Sequence, residues 1–226
     1  MTGLLAEDLL LLCWDDDKAR SSSDCSPGLD AGVAAALVID ALMAGSIEVG
    51  ADGRVRPGSA AADDPLVAEV VEEAGRRRRH PKVHKLVEGL SSGQRSVAVR
   101  DRLVESGMLR AERRRLLGLV PVTRYPVADP AAVATVRQQV RALLVGEREP
   151  ADGDLRWTAL AGLAKPTKAL ERLVDRRQRK AARQRADAFA VGHGVPEVVS
   201  ETFQQAQAAA VAAVAAAATA NSQVRP

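Results

Sequence analysis

The sequence is poor in aromatic residues, because only five of its 226 residues are Trp, Tyr or Phe. A protein that stacks nucleic-acid bases on aromatic rings would have little to use here. Leu, Val and Ala must therefore build the core, and a chain of this length can bury one sizeable core. We predict one compact domain over residues 1–220, followed by a disordered tail over residues 221–226.

Cysteine is also scarce, with two residues, Cys13 and Cys25. Two cysteines cannot form a disulfide framework, and their spacing is neither that of a zinc site nor that of a C-x-x-C redox motif. We expect free thiols in a reducing compartment.

Motifs that mark catalytic and cofactor-binding sites are missing from the sequence. It contains no P-loop, no G-x-G-x-x-G, no G-x-S-x-G and no H-E-x-x-H. His80 and His84 are four residues apart, but Pro81 lies between them and the neighbouring arginines and lysines would repel a cation. We therefore predict no enzyme, no cofactor and no metal site.

No apolar run is long enough to cross a membrane. The longest candidate, residues 208–220, is too short and too rich in alanine. Glu7 and Asp8 interrupt the apolar N-terminal stretch and no basic region precedes it, which does not fit a signal peptide. The expected location is the cytoplasm, with at most a peripheral association with the cytosolic face of a membrane.

Charge, in contrast, is plentiful and unevenly distributed. Residues 1–75 contain four basic and fifteen acidic residues, whereas residues 76–226 have a net charge of +14. This asymmetry indicates either an anionic partner for the basic part or neutralisation of one half by the other within one fold. The high arginine, alanine and valine content is typical of a GC-rich, bacterial coding sequence.

Three clusters contain much of the positive charge. The first is the stretch GRRRRHPKVHK, residues 75–85. The second, Arg113–Arg115 beside Arg110, is in a predicted hairpin, where alternation would send neighbouring arginines to opposite faces. The third is in a predicted helix over residues 166–190, where helical spacing predicts one continuous stripe that comprises Lys168, Arg172, Arg176, Arg179 and Arg183.

Hydrophobic periodicity predicts a mainly α fold with one or two small β-hairpins. Residues 4–17 begin with a helix or strand, Asp30 is the expected N-cap of the next helix, and Asp52-Gly53 predicts a hairpin turn. Besides 166–190, helices are expected over residues 31–44, 64–79, 81–90, 96–106, 130–145, 155–163, 196–205 and 206–220.

Several segments, taken in order, resemble the Golgi phosphoprotein 3 family. They are LLAEDLLLLCWDDD, DCSPGLDAGVAAALVIDALMAGSIEV, DDPLVAEVVEEA, VHKLVEGLSSG, VRDRLVESGML and LLGLVPVTRYPVADP. The resemblance covers most of residues 4–165 and weakens towards the C-terminus. It implies a compact, mostly helical domain without catalytic activity, and a basic patch for a phosphorylated lipid head group, phosphatidylinositol 4-phosphate in the eukaryotic members.

The resemblance also suggests where such a head group would bind. The family uses a tryptophan and an arginine around the Asp-Cys loop, but here Ser22 or Ser23 stands in place of the tryptophan and Asp30 in place of the arginine. The predicted head-group site is therefore built from other cations. It comprises Arg76, Arg77, Arg78, Arg79, Lys82, Lys85, Arg95, Arg100 and Arg102.

Two other classes of function remain open at this point. A helix over 96–106 followed by an arginine-bearing hairpin is also the arrangement of a winged-helix DNA-binding protein. Alternatively, the acidic first half and the basic second half could mediate assembly in a protein–protein adaptor.

Overall fold

The computed structural model describes residues 3–76, 78–116, 120–151, 154–192 and 201–223. Within these residues the chain forms ten helices and six short strands, which confirms the predicted mainly α fold. The helices are α1 (Leu5–Leu12), α2 (Ser26–Met43), α3 (Pro65–Gly75), α4 (Val83–Leu90), α5 (Gly93–Glu105), α6 (Pro130–Val145), α7 (Leu155–Ala164), α8 (Leu170–Leu173), α9 (Arg179–Ala190) and α10 (Glu201–Gln223).

The strands pair in three antiparallel hairpins. They are β1 (Trp14–Asp15) with β2 (Arg20–Ser21), β3 (Ile47–Val49) with β4 (Val55–Pro57), and β5 (Glu112–Leu116) with β6 (Val120–Arg124). The second contains the predicted turn, in which Gly53 adopts a left-handed φ of 69°. The sequence did not predict the two-residue pairing of β1 with β2.

Helix α1 lies at the centre of the core. All eight of its residues are buried, and it packs against α2, α5, α6 and α7. Because the leucines of a fully buried helix cover its whole circumference, the run Leu9–Leu12 shows no amphipathic period, and the sequence left helix and strand both open.

Helix α2 begins five residues earlier than predicted. Pro27 lies in its first turn, where a fixed φ is compatible with helix and the missing N–H is not needed. Asp30 is therefore not the N-cap, and its carboxylate instead accepts a hydrogen bond from the Ser96 hydroxyl at 2.5 Å. A Cβ at Gly28 would lie 2.9 Å from the carbonyl oxygen of Pro166, so the glycine allows this helix to approach α7 and the loop after it closely.

The predicted long helix over residues 166–190 is wrong. The chain forms the single turn α8, becomes extended at the buried Val174, and begins α9 at Arg179. Lys168, with a left-handed φ of 60°, lies before the first helical turn. The basic stripe expected along this helix is consequently broken.

At the C-terminus, the two predicted helices form one helix from Glu201, while residues 196–200 lie outside the described part of the chain. Helix α10 packs on α2 and α4 and ends at Gln223, past the point where the sequence predicts a tail. In the described ranges, no helix combines the length and the apolar character needed to cross a bilayer.

Candidate anion-binding site

Residues 76–85, here called the basic segment, comprise the connection from α3 to α4 and the first three residues of α4. The connection lies along the edge of the β3–β4 hairpin. The Val55 amide donates to the Pro81 carbonyl at 2.8 Å, and Arg54 forms an isolated bridge with Lys82. The sequence predicted a helix to residue 79, but α3 ends at Gly75. The α conformation is disfavoured for a residue that precedes a proline, so His80, before Pro81, favours an extended backbone rather than a longer helix.

The cations of the basic segment differ in how well they are neutralised. All those that the structure describes are exposed, and Arg77 lies outside the described residues. Arg76 pairs with Glu73 at 3.1 Å and Lys85 pairs with Glu88 at 2.7 Å.

The three other described arginines and lysines of the segment are not neutralised by a carboxylate. Among the described residues, Arg78, Arg79 and Lys82 have no ion pair and no side-chain hydrogen bond. The described part of the segment therefore presents three uncompensated positive charges to solvent.

A shallow concavity of about 420 Å³ lies within this segment. The Arg54 guanidinium contributes to it and is held in place by a 2.5 Å hydrogen bond to the His80 carbonyl. None of its lining residues, all of them in the described part of the chain, is acidic. They are Arg54, Arg79, His80, Pro81, Lys82, His84 and Lys85.

The arginines of α5 have a different role. Arg95 lies 3.2 Å from Glu69 and donates to the Leu90 carbonyl, while Arg102 pairs with Glu7 and Asp64 at 3.0 and 2.6 Å. These contacts tie α5 to α1 and to the start of α3.

Arg100 is held by its own neighbours on and beside α5. It pairs with Asp101 at 2.6 Å and its guanidinium lies over the Tyr125 ring, 4.2 Å from the centroid. The three predicted α5 residues thus contact three separate sets of partners, and none of them lines the concavity of the basic segment.

The loop that would bind a head group in the family is neutral or acidic here. Ser22 is buried, and its hydroxyl accepts a hydrogen bond from the Arg172 guanidinium at 3.2 Å. Arg172, which the sequence assigned to a basic stripe, also donates to the Trp14 carbonyl at 3.0 Å. Since Asp30 in α2 adds a carboxylate beside Ser96, and the Arg172 guanidinium is already bound to Ser22 and Trp14, this region offers a phosphate little attraction.

The two thiols beside this loop are free, as predicted, and both are buried. A hydrogen bond with Cys25 and burial raise the pKa of Cys13 well above its ordinary value. The same hydrogen bond, together with the charge of Arg172, lowers the pKa of Cys25. Across the described ranges, no group of three or more His, Cys, Asp or Glu side chains is placed to hold a metal ion.

A model of the family described as Golgi phosphoprotein 3 (GPP34) matches residues 5–222. This extends the resemblance seen in the sequence from residue 165 through nearly all of α10. A search of curated proteins finds no match to the chain.

Proposed function

Because the chain belongs to the Golgi phosphoprotein 3 family, we propose that it is a non-enzymatic, peripheral protein of the cytosolic membrane face that binds anionic phospholipid head groups. The basic segment is the contact surface. The observation that supports this most strongly is the free charge of Arg78, Arg79 and Lys82 on an exposed loop.

The attraction is large enough for weak, salt-sensitive peripheral binding. Each basic residue close to an anionic leaflet contributes roughly 1 kcal/mol, so the three unpaired cations together contribute about 3 kcal/mol. Arg54, Arg76 and Lys85 add to the local potential, although their carboxylate partners reduce their contribution. Such binding decreases as salt screens the charges.

Selective recognition of phosphatidylinositol 4-phosphate is not part of this proposal. Where the eukaryotic family members have a tryptophan and an arginine, this chain has Ser22 or Ser23 and Asp30. A carboxylate at Asp30 repels a phosphate, so we expect affinity to follow membrane charge rather than the identity of one lipid. A bacterial cell, which the composition indicates, has no Golgi in which that lipid would be required.

A DNA-binding function is less well supported. In a winged-helix protein the helix before the hairpin inserts basic and polar side chains into the major groove. In this chain, Arg95 and Arg102 of α5 are instead bound to carboxylates of α1, α3 and the α3 cap. The helix would have to break these ion pairs before it could contact bases.

The test is sedimentation with vesicles of phosphatidylcholine and phosphatidylserine. We expect the triple variant R78E/R79E/K82E to lose at least about 100-fold in affinity, the equivalent of roughly 3 kcal/mol. The matched control is R176E/R177E/K180E, which makes the same charge change at exposed residues near the start of α9. An equal loss in both variants, or none in the first, would show that the basic segment is not the contact surface.

A further inference from the structure

A second group of cations converges between two hairpins that are far apart in the sequence. The turn of the β1–β2 hairpin and the β5–β6 hairpin enclose an open cleft of about 510 Å³. We refer to it as the hairpin cleft. Its charged lining residues are Asp17, Lys18, Arg20, Arg114, Arg115 and Arg124.

Backbone and side-chain contacts hold the two walls of the cleft together. The Tyr125 amide donates to the Ala19 carbonyl at 2.9 Å, and the Trp14 indole N–H donates to the Tyr125 carbonyl at 3.1 Å. The Arg100 guanidinium also contacts this junction, because it stacks on the Tyr125 ring. Ala19 adopts a left-handed φ of 51°, an uncommon conformation for a non-glycine residue that these contacts maintain.

Three of the cleft cations have no counterion among the residues that the structure describes. Arg20, Arg115 and Arg124 are exposed and form no ion pair with any described residue. Lys18 pairs with Asp15 at 3.3 Å, and Arg114 pairs with Glu112 at 3.1 Å.

The acidic content of the cleft is small by comparison. Asp17 is its one acidic lining residue in the described part of the chain. Five cations therefore face one carboxylate, and two of the three consecutive hairpin arginines reach the cleft, although alternation along β5 predicted that neighbours would be separated.

We propose that the hairpin cleft binds an anion that has two or more phosphate monoesters, either as a free molecule or as the head group of a bisphosphorylated lipid; phosphatidylinositol 4-phosphate, which has a single monoester, does not meet this requirement. Guanidinium groups bind phosphate through paired N–H donors, and three unpaired arginines can contact more than one phosphate at a time. The volume of the cleft suits a small molecule.

An acidic peptide fits the hairpin cleft less well. Such a peptide would be expected to use apolar pockets along its length, whereas the uncharged lining of the cleft is limited to Ala19, Val122 and Thr123. No residue of the hairpin cleft belongs to the basic segment, so this site is independent of the proposed membrane contact.

The experiment is calorimetric titration with inositol 1,4,5-trisphosphate at low salt. We expect saturable binding that R20A/R124A weakens at least 10-fold. The control R110A/R113A also removes two arginines from this region, but neither of them lines the cleft, and binding should change less than about threefold. Thermal melting of both variants verifies that they are folded.

Two further arms identify the source of the phosphate and separate this site from the basic segment. If vesicles that contain phosphatidylinositol 4,5-bisphosphate bind more weakly to R20A/R124A than to the wild type, the ligand is a lipid; if only the soluble titration changes, it is a free molecule. The variant R78E/R79E/K82E should bind inositol trisphosphate like the wild type. The proposal is overturned if the wild type shows no saturable binding, if R110A/R113A loses as much as R20A/R124A, or if polyglutamate binds as tightly as the trisphosphate.

Discussion

Arginines inside the fold and arginines on its outer loops form two distinct groups. Arg102 and Arg156 are bound to buried carboxylates of α1, whereas Arg78, Arg79 and Arg20 have no carboxylate partner in the described residues. The sequence left open whether its acidic and basic halves neutralise each other or bind an external anion. The comparison shows that acidic residues of the first half pair with arginines of the second half in the core, and that unpaired cations lie in the basic segment, around the hairpin cleft and near the start of α9.

Among the paired arginines, we expect the loss of Arg156 to reduce stability the most. Its guanidinium Nε lies 2.9 Å from the carboxylate of Asp8, which is fully buried. We expect R156A to lower the free energy of unfolding by about 3–5 kcal/mol, because it removes the guanidinium that pairs with a buried carboxylate. Denaturant unfolding measures this. The double variant D8N/R156A should recover part of the loss, and a loss of less than about 1 kcal/mol in R156A would contradict the account.

The buried carboxylate of Asp40, in the same core, should make the free energy of unfolding depend on pH. Its carboxylate accepts hydrogen bonds from the Leu5 and Ala6 amides at the start of α1, and burial raises its pKa from 3.8 to about 7. Because the folded state holds this proton more tightly than the unfolded state, the contribution of Asp40 to stability falls as the pH rises from about 4 to 7.

The size of this effect is roughly 2–4 kcal/mol over the whole window. Unfolding of the wild type and of D40N should be compared at pH 4, 5, 6 and 7. Arg156 and Asp8, whose charges also act on Asp40, are the same in both proteins, so the difference reports Asp40. A constant difference between the two proteins across this window would contradict the prediction.

Arg102 and Arg100, both in α5, allow an ion pair with a buried partner to be compared with one whose partner is exposed. Arg102 pairs with Glu7, whose side chain is 4% exposed, whereas Arg100 pairs with Asp101, whose side chain is 53% exposed. We expect R102A to lower the unfolding free energy by about 1–3 kcal/mol and R100A by less than about 1 kcal/mol. Equal losses, measured by denaturant unfolding, would mean that burial of the partner does not decide the effect.

The smallest expected effect on stability belongs to the unpaired group. Because Arg78, Arg79 and Lys82 have no partner among the described residues, alanine at all three should change the unfolding free energy by no more than about 0.5 kcal/mol each. Thermal melting of the triple alanine variant measures this. A cooperative loss of several kcal/mol would show that these side chains stabilise the fold.

The fold followed from the sequence wherever local signals agreed. Helix α6 runs over the predicted residues because Asp129 caps it, Pro130 begins it and Gly146 ends it with a left-handed φ of 77°. The prediction of one helix over residues 166–190 was wrong because the basic residues recur at helical spacing through the whole range, so the sequence pattern shows no break. The break at Val174 depends instead on burial of that side chain in the core.

The candidate site could be predicted from the sequence only in part. The run of arginines identified the basic segment, but pairing cannot be derived from local sequence when the partners, such as Glu7 and Arg102, are far apart along the chain. For the same reason the hairpin cleft was missed. Arg20 is an isolated arginine in an acidic stretch, and only the fold places it beside Arg124.

The most direct test of the central claim is sedimentation of the wild-type protein with three kinds of vesicle at increasing salt. The vesicles are neutral, acidic with phosphatidylserine, and acidic with phosphatidylinositol 4-phosphate at matched total charge. The account predicts no binding to neutral vesicles, salt-sensitive binding to both acidic kinds, and no gain from the phosphoinositide. Binding only to the phosphoinositide vesicles would contradict it, and so would equal binding to neutral ones.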